Sequence, residues 1–115
     1  MARKILGRDG LPSQAQQAIE VMGKNIQTAR KRRAWSLEEM AGSMFVTRKT
    51  LSRLEAGDPS VGITVLAAAL HVLDMTSDLK KIAAPENDEI GLFNEKQRLP
   101  QRVRKKQMPA DKLDF

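Results

Sequence analysis

The chain contains no cysteine and a single histidine among its 115 residues. Without thiols it can hold neither a disulfide framework nor a thiolate metal site, which fits a reducing compartment. His71 has no second histidine or cysteine with which to share a metal, so it reads as a surface or packing residue and no metal is expected. Long hydrophobic runs are also missing: nothing approaches the roughly 18 apolar residues that span a bilayer. The first residues, MARKILGRDG, are basic but lack the apolar stretch and small-residue cleavage site of a secretory signal, so a cytoplasmic location is expected. Catalytic groupings are equally scarce. There is no Cys/His or Ser/His pairing to activate a nucleophile, and the seven glycines are scattered, not gathered into a phosphate loop. Of the acidic pairs, Glu38-Glu39 suits a helix start and Asp88-Glu89 a solvated linker. Neither an enzyme nor a cofactor is expected.

What the chain does have is positive charge, a formal net of +6 with a pI near 10. Its placement is more informative than its sum. Residues 1–35 carry eight Lys/Arg against two acids, and residues 96–115 carry seven against two. Between them, residues 36–58 carry three against four and residues 59–95 two against six. A near-neutral to acidic body is flanked by two basic arms, an arrangement that suits a polyanionic partner reached through phosphate contacts.

The densest motif is SLEEMAGSMFVTRKTLSRLEAG, residues 36–57. Ser36 followed by Glu39 is a capping box, in which each residue satisfies one orphan backbone N–H at a helix start. Leu37, Met40, Ala41 and Met44 then share one helical face. Thr47 can cap a second helix with Leu51 and Leu54 as its buried stripe, and Gly57 stands where a helix stop belongs. The outward face of that second helix carries Arg48, Lys49, Thr50, Ser52 and Arg53. Cationic ends and short hydroxyls of this kind match the base edges and phosphates of a major groove, so the pattern predicts a helix-turn-helix. Arg48 is the leading candidate for bidentate contact to guanine, with Lys49 directed to guanine or phosphate. Thr47 and Ser52 suit phosphates, Arg53 suits either, and Thr50 and Ser36 complete the candidate DNA-contact set.

The rest of the chain reads as an all-α, five-helix domain over residues 12–84, with a flexible basic arm at 1–11 and a charged tail at 85–115. A long helix is predicted from Ser13 to about Arg33, with Gly23 weakening it by about 1 kcal/mol relative to alanine. The run Arg30-Lys31-Arg32-Arg33 at its end complements the macrodipole as well as it would serve DNA. Trp35 is expected to plug the core. Further helices are predicted around Ile63–Leu73 and Ser77–Ala83. Beyond Pro85 no periodicity survives, and the tail is expected to be disordered or ordered only by a partner. The apolar residues Leu79, Ile82, Ile90, Leu92 and Phe93 are candidate dimer or partner contacts.

Residues 23–75 resemble the helix-turn-helix domain of the Cro/phage-repressor (XRE) family, through Arg30, Met40-Ala41, the Phe45-Val46 corner and Leu54-Glu55-Ala56-Gly57 in register. The resemblance implies a homodimer on an inverted-repeat operator in double-stranded DNA, and a structural ion pair between Arg30 and Glu55. Two positions depart from the family pattern. Phe45 replaces the usual bend glycine, so either the bend is built differently or Phe45 is inserted into the core. Leu37 replaces a phosphate-binding glutamine. A narrower resemblance, carried by TRKTLSRLEAGDPSVGITVL and RLPQRVRKK, is to HipB-type antitoxins. It implies a HipA-like serine/threonine kinase toxin as partner, with tail residues from Glu86 onward as its surface. A free-standing repressor and an interaction module that has lost DNA binding are the alternatives.

Overall fold

A computed structural model of the protein describes residues 10–105, with side chains through Arg98. The expectations of a flexible arm before Gly10 and of a tail after Lys105 lie outside the described residues. All regular structure among those residues is helical: α1 (Ser13–Arg32), α2 (Leu37–Met44), α3 (Arg48–Glu55), α4 (Ile63–Val72), α5 (Ser77–Lys81), a 3-10 turn (Pro85–Asn87) and α6 (Glu89–Lys105). The chain divides into two compact units, one ending at Leu79 and the other beginning at Lys80.

In the first unit, four successive helices end in the same Schellman pair of hydrogen bonds, which turns the chain back sharply through one left-handed residue. At the end of α1, Trp35 N–H donates to Arg30 O (3.3 Å) and Ala34 N–H to Lys31 O (2.9 Å). For α2 the donors are Val46 and Phe45, to Ala41 and Gly42; for α3 they are Asp58 and Gly57, to Arg53 and Leu54. Met75 and Asp74 close α4 on Leu70 and His71. The left-handed residues are Ala34, Phe45, Gly57 and Asp74, with φ between 59° and 79°. Only Gly57 has the residue type that adopts this conformation without penalty.

Phe45 corrects one expectation. The bend keeps the ordinary left-handed geometry (φ 59°, ψ 39°), yet Phe45 is not inserted into the core: it is 93% exposed. The backbone hydrogen bonds of the bend hold this conformation, at a cost of about 1–2 kcal/mol for a side chain with a Cβ.

The core is a single cluster of Ile26, Met40, Ala41, Met44, Leu51, Leu54, Ala69 and Leu73. Trp35 packs against it from a half-buried position, together with Met22, Leu37 and Val46. The short α3 lies at the centre of the unit and packs against α1, α2 and α4. One close approach allows this. A Cβ on Gly23 would stand 2.6 Å from both Leu54 O and Glu55 O, so glycine is what lets α1 cross the end of α3. Its helix-weakening effect is local, and its role is tertiary.

The second unit departs from expectation. Residues 89–105, whose composition predicts disorder, form α6. Asp88 caps its start, the carboxylate accepting from Gly91 N–H (2.9 Å), and Glu89 adds favourable charge in the first turn. Pro100 lacks an N–H and interrupts the ladder once without ending the helix. Ile90 (77%), Phe93 (61%) and Leu92 (41%) are exposed on α6, so the helix gains no burial from its described apolar residues.

Candidate nucleic-acid interface

The sequence rule that positions the site is the pair of caps on α2 and α3. Ser36 Oγ accepts from Glu39 N–H (3.0 Å) while Glu39 Oε1 accepts from Ser36 N–H (2.8 Å), closing the capping box as its spacing requires. Thr47 Oγ1 accepts from Thr50 N–H (3.1 Å) and also shares a 2.9 Å hydrogen bond with Thr50 Oγ1. The first turn of α3 is therefore fixed by two hydroxyls before any ligand arrives.

Behind that turn, Leu51 and Leu54 enter the core and Glu55 meets Arg30. The ion pair is bidentate: Arg30 Nε donates to Glu55 Oε2 (2.7 Å) and Nη2 to Oε1 (3.0 Å). The remaining Nη1 donates to Trp35 O (2.9 Å). Both side chains are buried, and the hydrogen bonds to Glu55 raise the pKa of Arg30 further, keeping it cationic. This fork ties the end of α1, the α1–α2 connection and the end of α3 into one unit, with every charge satisfied.

The outward residues divide into two groups. Arg48, Lys49 and Ser52 are exposed, Thr50 is half-buried, and neither Arg48 nor Lys49 has an ion-pair or hydrogen-bond partner among the described residues. Arg53 differs. Its Nε donates to Asp58 Oδ2 (3.1 Å) and its Nη2 to Ser60 Oγ (2.8 Å). Asp58 Oδ1 in turn accepts from Ser60 N–H (2.9 Å) and Ser60 Oγ–H (2.7 Å). These Ser60 hydrogen bonds, followed by that from Arg53, hold the Asp58 carboxyl down to about 2, so the acid stays ionised and Arg53 stays engaged. Its charge is largely answered within the chain.

The basic run at the end of α1 is similarly divided. Arg30 is in the buried pair, while Arg33 donates to Ala29 O (2.8 Å) and Leu73 O (3.2 Å) and stacks over Trp35 at 5.8 Å. Lys31 and Arg32 are exposed. The run is thus half structural. The Asp58-Pro59-Ser60 loop was the missed partner of Arg53; an Asp two residues before a Ser is an Asx-turn signal that would have found it.

A family model described as Helix-turn-helix matches residues 26–80, from Ile26 in α1 to Lys80 in α5. The match covers a little under half of the chain and takes in the whole of α2, α3 and α4. No curated protein and no solved structure matches the chain. Among the described residues no helix is long and apolar enough to cross a membrane.

Proposed function

We propose that the chain is a sequence-specific, double-stranded DNA-binding transcriptional repressor that acts as a homodimer in the cytoplasm. The observation that carries this reading is the pair of cations without partners among the described residues, Arg48 and Lys49, on the first turn of a helix whose opposite side is buried. Recognition helices of this motif make their base contacts from their N-terminal residues. Arg48 then reads guanine through O6 and N7, and Lys49 reads guanine or holds a phosphate. Ser36, Thr47, Thr50 and Ser52 lie at positions for phosphate contacts, with the hydroxyls of Thr47 and Thr50 already aligned by capping. Arg53 contributes mainly by shaping the loop after α3. Repression follows from occupying an inverted repeat that overlaps a promoter.

The test is selection of bound duplexes from a random pool, followed by titration of wild type and Arg48→Ala on the selected site and on random DNA. Arg48→Ala is expected to reduce discrimination at one position by about 1–3 kcal/mol, with little change in salt slope. Equal losses on both DNAs would remove Arg48 as a base reader.

A second reading makes the same chain the antitoxin of a HipA-like kinase toxin. What favours it is the similarity of Thr47–Leu66 and Arg98–Lys106 to HipB-type proteins. A tagged pull-down from the native host separates the two: a kinase-like protein recovered with an operator supports the antitoxin, and an operator alone leaves the free-standing repressor.

A further inference from the structure

Phe45 is the most exposed large apolar side chain among the described residues, at 93%, and it stands at the bend between α2 and α3. Its ring adds little to the core, while its left-handed backbone (φ 59°) carries strain that glycine would avoid. A residue held in a disfavoured conformation without a packing reward is the kind of outlier found at functional sites. The next residue, Val46, packs against the core, and Thr47 beyond it is exposed and caps α3. Phe45 is thus turned to solvent at the end of α3 that carries Arg48 and Lys49, the two cations without partners among the described residues. Arg48 follows Phe45 by three positions, so their Cα atoms lie within about 11 Å, roughly three base-pair steps of 3.4 Å. Val21 and Ile63, also exposed in the first unit, lie on α1 and α4.

We propose that Phe45 is a base-reading residue of the DNA interface, its ring packing on the C5-methyl group of a thymine in the major groove. This deepens the DNA-binding reading above and rests on it. The ligand chemistry follows from what the groove offers. Base edges present donors and acceptors, and the thymine methyl is the apolar group among them, a partner that Phe side chains contact. A phenyl ring cannot hydrogen-bond a phosphate, so what it can gain at the duplex is apolar contact. Burying the ring against a methyl removes apolar surface from water on both partners, a gain realised only in the complex. Deoxyribose also offers apolar carbon, but equally at every sequence, so the two contacts are separable by experiment. The two readers then use different chemistry: Arg48 selects by hydrogen bonds and Phe45 by apolar contact. Glycine at the bend would fold with less strain and leave that thymine unread.

The experiment uses the full chain and duplexes selected from a random pool, with deoxyuridine replacing thymidine one position at a time. That replacement deletes the C5-methyl and leaves every hydrogen bond of the base pair in place. At one position wild type is expected to bind about three- to fivefold more weakly. That position is expected within a few base pairs of the guanine read by Arg48. Phe45→Ala is expected to bind the unsubstituted site about tenfold more weakly. It is also expected to be indifferent to deoxyuridine at that position, so the two changes are not additive. Phe45→Asn, whose residue type accepts the left-handed bend, is expected to show the same indifference with no fall in melting temperature. A wild type insensitive to deoxyuridine at every position overturns the proposal. So does a sensitivity that Phe45→Ala and Phe45→Asn retain. Equal losses in these variants on selected and random duplexes place the ring against the sugar-phosphate backbone and overturn it as a base reader. Variants that bind DNA like wild type but lose a protein recovered on the operator overturn it in favour of that protein. Selective DNA binding without coupling of Phe45 to a thymine overturns this inference alone. A wild type that selects no sequence overturns the regulator reading, and this inference with it.

Discussion

Helices α3 and α6 differ in a way that inverts their lengths. The eight residues of α3 bury Leu51, Leu54 and Glu55 among three other helices, while the seventeen of α6 leave Ile90, Leu92 and Phe93 exposed. An eight-residue helix is too short to be stable alone, since isolated helices below about 12–15 residues are marginal in water. Its order comes from its neighbours, its cap and its ion pair. Helix α6 has the length, a capping Asp88 and complementary end charges, but its described apolar side chains, Ile90, Leu92 and Phe93, are exposed. The comparison teaches that α3 is held by tertiary contacts and α6 by local ones.

The largest effect that would break the comparison lies at Glu55. Glu55→Ala leaves the Arg30 guanidinium buried beside an empty acceptor site, and removing one member of a buried pair costs about 3–5 kcal/mol. Against the roughly 5–15 kcal/mol that holds small domains together, the expected outcome is a large fall in the chemical-denaturation midpoint and loss of DNA binding as a consequence. An unchanged midpoint would show that α3 is not tied down through this pair.

Next in size is a matched pair of truncations, one in each helix. Leu51→Ala removes a fully buried side chain from the centre of the core and is expected to cost about 2–5 kcal/mol. Leu92→Ala alters an exposed position and is expected to shift the melting of the first unit by no more than about 0.5 kcal/mol. Similar costs at the two leucines would mean that α6 is already packed within the monomer.

The parts of this architecture that were legible in the sequence are those where a single residue type states its own role. The capping box at Ser36 and Glu39, the Thr47 cap and the Gly57 stop place α2 and α3 within a residue of where they stand. The Arg30–Glu55 pair was reached through family resemblance, and the two side chains stand 2.7 Å apart. Three kinds of feature were not legible. Ala34, Phe45 and Asp74 adopt left-handed conformations that their residue types disfavour, so only the assembled hydrogen bonds reveal them. Gly23 looked like a weak point in a helix because its reason is a backbone on another helix. Arg53 offered the same chemistry as Arg48, and only the fold of the following loop assigned it to Asp58 and Ser60. As for α6, its stretch carries dense charge, prolines and only isolated apolar residues, so the sequence showed no helical periodicity there.

Phe45 gives a smaller effect of opposite sign. Phe45→Gly relieves the left-handed strain and removes no buried surface, so it is expected to stabilise the first unit by about 1 kcal/mol. For a domain of this size that corresponds to roughly 4–8 °C in Tm. The net is reduced by glycine's greater freedom in the unfolded chain. A fall in Tm would mean that Phe45 makes contacts worth more than its strain.

The smallest effect separates Arg53 from Arg48 on one helix. The Asp58 pKa is lowered from 3.8 to about 2 in the folded chain, by its hydrogen bonds to Ser60 and then to Arg53. A depressed carboxyl favours the fold above the unfolded value, and that contribution is lost as pH falls through the folded one. The loop after α3 is therefore expected to keep its hold on Arg53 well below pH 3.8 and to release it as pH falls through about 2. Asp58 is half-buried in a surface loop, so the change should register as mobility of the Ser60 amide and the Arg53 side chain in NMR spectra and not as unfolding. Asp58→Asn should show the released state at neutral pH, with Arg53 freed to strengthen DNA binding nonspecifically and to steepen its salt dependence. If instead the variant loses sequence preference as Arg48→Ala does, the loop network positions the reading end of α3, and the two arginines act as one unit.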